Sequence, residues 1–250
     1  MAQTQAEPLV IPRFFAARSK RRDLIEIVIA FGLILIVIWT PRPWQQLLWW
    51  VTIVAVLAMI GLTFESLSAM GLHAPNFFRS LWIVGLALGL SGVAMLLAAG
   101  MHTLHVPDSP ILFVKSFWGY AIWAGVQQFL LQCFFLSRLL RLIPDQRNVV
   151  WAAAALFAVA HLPNPLLTVG TVLWGAAACL LYLRYRNLYS LMIAHAILGI
   201  AVAITVPGPV DHNMRVGLGY LTYGSHRQPH RAHWLRVKGC RMPLAANAEA

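Results

Sequence analysis

Five polar side chains recur inside long apolar runs: Gln127, Gln128 and Gln132 in one run, His161 in a later one and His195 in another. A polar group in hydrocarbon costs free energy unless it finds a partner, so this recurrence marks a candidate site. Gln128 and Gln132 are four residues apart and share a helix face, with Gln127 about 100° around it. Two imidazoles and a carboxylate could hold Zn²⁺ or activate water. Here the carboxylate is missing. The 8 acidic residues are Glu7, Asp23, Glu26, Glu65, Asp108, Asp145, Asp211 and Glu249, and beyond Glu65 every one is expected in a loop or tail. A general base would have to come from Glu26, Glu65 or a loop. The bland alternative is also physical: amides glue helices together, and a lone histidine on an apolar face packs as a core residue.

The elements that must position these groups are membrane helices. The chain has 250 residues, of which 60% are hydrophobic and 11% charged, and its mean hydropathy is +0.70. A soluble domain carries about 25% charged residues. The expected fold is therefore all-α, a polytopic transmembrane helix bundle. Seven apolar runs are legible, at 24–39, 46–66, 77–99, 113–140, 149–162, 166–184 and 188–206. The fifth is short and breaks at Pro163-Asn164-Pro165, directly after His161. Irregular backbone at membrane depth is tolerated only inside protein or beside water. Residues 1–23 read as a basic cytoplasmic tail, 24–206 as the bundle, and 207–250 as a basic, flexible tail.

The formal charge of +11 would suit nucleic acid, but its placement does not. Arg and Lys concentrate in tails and loops, as topology and anionic lipids require, so membrane lipids are expected partners and nucleic acid is not. The rule that cytoplasmic loops are basic puts the N-terminus in the cytoplasm of a multi-pass cell-membrane protein. It also places Arg79, Arg138, Arg141, Arg147, Arg184 and Arg186 on that side. The C-terminal arginines break the alternation, which leaves seven and eight crossings both open. His226, His230 and His233 lie among arginines and are interrupted by Pro229, so they read as part of a lipid-facing tail. His102 and His105 read as loop residues. Cys133, Cys179 and Cys240 are too scattered for a disulfide framework.

The ordered set Gln127-Gln128-xxx-Gln132, Phe157-xxx-His161 and His195-xxx-Gly199 resembles the CPBP family, also called Abi or CAAX-protease-like membrane endopeptidases. That family carries EExxxR, then FxxxH, then HxxxN or HxxxD. The likeness spans about residues 115–200 and includes AHLPNP and RNLYSLMIAHA. It implies a bundle of seven or eight helices with an intramembrane polar cavity, and an intramembrane endopeptidase acting on membrane-associated peptides or protein C-terminal segments. Gln127, Gln128, His161 and His195 would stand at the catalytic positions, with Gln132, Phe157 and Gly199 in binding or structural ones. The departures are consistent with one another. Both glutamates and the arginine are Gln, and the final Asn or Asp is Gly199. Gln has no carboxylate to take a proton from water, and losing a general base costs about 10²–10⁴ in rate. Replacing acids and arginine together leaves no orphan ion in the site. The alternative implied is a non-catalytic scaffold, chaperone or immunity protein on the same fold. No cofactor is assigned. His161 and His195 are the metal-ligand candidates, and loss of the carboxylates disfavours zinc.

Overall fold

The computed structural model describes residues 19–62, 66–68, 70–72 and 76–223. Residues 1–18 of the basic tail, Glu65, and the tail from 224 onward with His226, His230, His233 and Cys240 lie outside the described residues.

Local sequence sets the helix ends. Helix α1 (Lys20–Trp39) stops before Pro41 and Pro43, after which α2 (Trp44–Gly61) begins. Helix α3 (Phe77–Gly100) follows. Ser109 caps α4 (Pro110–Phe129) by accepting from Leu112 N, with Pro110 at the first turn where a missing N–H costs nothing. The rod continues through a π-helical stretch (Leu130–Leu136) into α5 (Ser137–Leu142). Asp145 caps α6 (Gln146–Val159), Asn164 caps α7 (Pro165–Tyr185) and Asn187 caps α8 (Leu188–Thr205). Two short helices, α9 (Gly208–Asp211) and α10 (Gly217–Leu221), complete the described chain.

Among the described residues the architecture is all-helical. Four helices among the described residues, α2, α3, α7 and α8, are both long and apolar enough to cross a membrane. Large apolar side chains such as Trp50, Leu57, Leu96 and Leu173 face outward. A surface of this kind suits lipid rather than water. Helix α8 packs against α3 and α4, α6 pairs with α7, and α1 packs against α2 and α5. The core centres on Leu131, Phe134, Ala154, Leu188, Leu191 and Ala194. Gly175 permits the close α6–α7 contact, because a Cβ there would stand 3.2 Å from Phe157 Cδ1 and 3.3 Å from Ala154 Cα.

No eighth crossing occurs among the described residues. Residues 207–223 fold back over the break between α6 and α7. Gly217 N donates to Leu162 O at 2.7 Å, and Asn164 Nδ2 donates to the carbonyls of Asp211 at 2.7 Å and Arg215 at 3.1 Å.

Arg138 and Arg141, expected only to mark the cytoplasmic side, pair with acids of α1. Arg138 is buried, donating to Glu26 Oε2 from Nε at 2.8 Å and from Nη2 at 2.6 Å, with its guanidinium 3.6 Å above the Phe134 ring. Arg141 clamps buried Asp23 with two bonds of 2.7 Å. These pairs tie α1 to α5, one helical turn apart on each element. Glu26 also accepts from Arg22 Nε at 2.9 Å, so this acid is engaged in structure and far from free to serve as a base.

Candidate functional site

Helix α4 sets the site by periodicity. Tyr120, Ala124 and Gln128 recur at i, i+4 and i+8 and look toward α8, where Gly199 and His195 recur at the same spacing in the antiparallel direction. Tyr120 meets Gly199, and His195 lies against the Ala124 backbone. Gln128 Nε2 lies 3.1 Å from His195 Nδ1, and both side chains are buried. Gln128 Oε1 already accepts from Gln132 Nε2 at 3.3 Å. The Gln128 amine is therefore the end that faces the imidazole, and His195 Nδ1 accepts.

The π-helical stretch matters here. It widens the turn at the point where the third glutamine leaves α4, and such widened turns recur at functional sites. Gln132 is fully buried, bonded to Gln128 and adjacent to Cys179 of α7, while its Oε1 has no partner.

Gln127 looks toward the other histidine. Its Nε2 is 3.5 Å from His161 Nε2, at the outer limit for such a bond. His161 Nδ1 lies 2.7 Å from Phe157 O, a carbonyl that can only accept, so the proton is on Nδ1 and Nε2 holds the lone pair. The Phe157 ring stands edge-on to both imidazoles, with centroids 4.9 Å from His161 and 5.8 Å from His195. The structure thus brings Gln127, Gln128, Gln132, Phe157, His161 and His195 into one cluster at the meeting of α4, α6 and α8.

Gly199 closes the cluster differently from a polar side chain. A Cβ there would overlap the Tyr120 hydroxyl, so the phenol occupies the space a residue at 199 would need.

Residues 110–201 match the family described as type II CAAX prenyl endopeptidase Rce1-like. The match supports CAAX-protease-like, CPBP membership for this stretch of the chain. It runs from the first turn of α4 into α8 and holds every clustered residue. Searches of curated proteins and of solved structures each return no match.

A metal does not fit this site. Each neutral imidazole has one lone pair, and in both cases it accepts a glutamine N–H. A cation would have to break those bonds and rely on amide oxygens, which are weak zinc ligands. Among the described residues no three His, Cys, Asp or Glu side chains gather. The remaining acids are also committed elsewhere or distant: Asp23 to Arg141, Glu26 to Arg138, Asp145 to the start of α6, and Asp211 to Asn213 N at 2.9 Å. Asp108 is exposed in the loop before α4.

Tyr120, Trp174 and Cys179 were absent from the sequence-level set. Tyr120 was findable, because it lies two turns before Gln128 on the same face. Trp174, whose ring centroid is 6.0 Å from that of His195, carried no such signal. The expected polar cavity takes the form of a packed amide–imidazole cluster. A large cavity of about 2440 Å³ lies on another side of α4, lined by Gly125, Val126, Phe129, Met192 and Ile197 among others, and none of the clustered polar residues lines it.

Proposed function

We propose that this CPBP protein is a membrane scaffold that binds a membrane-associated peptide or protein C-terminal segment and has lost most of the family's hydrolytic power. One observation carries the reading: the imidazoles of His161 and His195 face amides where the family has carboxylates. An amide N–H pointed at an imidazole lone pair blocks that nitrogen as a base and supplies none itself. Gln127 and Gln128 stand at the water-activating positions, His161 and His195 at the polarising ones. Gln127 and His161, both half-buried and joined only by a 3.5 Å contact, are the members that suit hydrogen bonding to a peptide backbone, which offers one donor and one acceptor per residue. The protein is placed in the cell membrane with its N-terminus cytoplasmic, on the strength of its basic first segment.

The test is binding and turnover measured together. A membrane-anchored peptide bearing a photocrosslinker is mixed with the purified chain in lipid nanodiscs. The expected result is crosslinking that falls in Gln127→Ala, with the peptide recovered intact. Equal crosslinking in wild type and Gln127→Ala would remove the binding role, and steady release of cleaved peptide would remove the loss of hydrolysis.

A further inference from the structure

Helix α2 is held mainly by α1 and buries only Thr52 and Val56 of its own residues. It therefore stands off from α4 and α8. The gap is the cavity of about 2440 Å³, walled by Trp49, Trp50 and Leu57 on α2 and by Trp123, Met192 and Ile197 on the facing helices. Helices α2 and α8 both meet the length and hydropathy of a crossing, so this groove opens sideways at hydrocarbon depth. Its walls are apolar and no protein segment among the described residues fills it.

The groove is not apolar throughout. At the end formed by the α1–α2 turn and the 207–223 segment, its lining turns polar, with Thr40, Arg42, Gln45, Gln46 and Arg215. Arg42 and Arg215 are exposed, and no carboxylate lines the groove. Arg215 lies 5.5 Å from the Tyr223 ring centroid, and neither arginine has an acidic partner among the described residues. Two guanidinium groups at one end of a long apolar trough match an amphiphile with an anionic head and hydrocarbon chains. Guanidinium forks bind phosphate oxygens in pairs, and their forked geometry gives them an advantage over lysine.

We infer that the groove between α2 and the α4–α8 pair is a binding site for one anionic phospholipid, with its phosphate on Arg42 and Arg215 and its acyl chains along Trp49, Trp123 and Ile197. The lipid would cover a wall that no helix among the described residues covers and would neutralise the two cations. This site is separate from the amide–imidazole cluster and stands whether or not that cluster binds peptide.

The experiment is native mass spectrometry of the purified full chain after incubation with phosphatidylglycerol or phosphatidylcholine of identical acyl chains. A charge-assisted pair predicts about tenfold or greater retention of phosphatidylglycerol. The Arg42→Gln, Arg215→Gln double variant should bring it down to the phosphatidylcholine level, and Ala121→Phe, which adds bulk to the wall, should lower both. If the double variant fails to fold, the wild-type ratio and Ala121→Phe decide. Equal retention of the two lipids by wild type would overturn the site as ordinary solvation by the bilayer. A lipid-free dimer would overturn it as a contact between two copies of the chain.

Discussion

The Tyr120 hydroxyl lies over Gly199, in the space a Cβ on residue 199 would occupy. The two positions therefore form one unit: a missing side chain on α8 and a phenol on α4 that takes its room. The family's Asn or Asp cannot simply be restored at 199 while Tyr120 stays.

Gly199→Asn should accordingly destabilise the protein by at least the ~1–3 kcal/mol typical of overpacking. Tyr120→Ala, Gly199→Asn together should recover most of that loss. Thermal melting in detergent reads both, and a stable Gly199→Asn single variant would refute the overlap.

The α1–α5 clamp gives a second expectation. Glu26→Ala leaves Arg138 buried without its carboxylate, a change worth about 3–5 kcal/mol. Glu26→Ala, Arg138→Met should regain much of it, since apolar replacement of a buried pair is often neutral or better. The same melts measure this. If Glu26 were instead a catalytic base, the double variant would melt no higher than the single and any turnover would vanish with Glu26 alone.

Reintroducing carboxylates separates the two glutamines. Gln127 is only half-buried beside His161, so Gln127→Glu should fold and add a base, raising any peptide hydrolysis by about 10² or more. Gln128 is fully buried and faces Gln132, so Gln128→Glu should cost several kcal/mol unless Gln132→Arg supplies a counter-charge. Peptidase assays paired with melts distinguish these outcomes.

Much of this was legible in the sequence because membrane helices announce themselves. Hydropathy marked the rods, and Pro163-Asn164-Pro165 marked one break between them. The four-residue spacing placed Gln128 and Gln132 on one face, and the ordered motifs brought Phe157, His161 and His195 to the same cluster. Arg138 was not legible in the same way. A charge near the end of an apolar run reads as a marker of the cytoplasmic side, and only the tertiary approach of α1 shows that Glu26 draws it inward. The fold-back of 207–223 was hidden for a similar reason: its anchor is Asn164, a cap residue whose second role depends on distant carbonyls.

Metal binding gives a fourth expectation. With each imidazole lone pair accepting from an amide, equilibrium dialysis should find no zinc whose binding depends on His161 or His195. Bound zinc lost in His161→Ala or His195→Ala would mean that the amides yield to the cation.

The most direct measurement is single-turnover hydrolysis of a membrane-anchored peptide by the purified wild-type chain, run beside His161→Ala. Neutral amides at Gln127 and Gln128 predict no cleavage above the His161→Ala background. Cleavage by wild type that disappears in a folded His161→Ala variant would contradict the loss of hydrolysis outright.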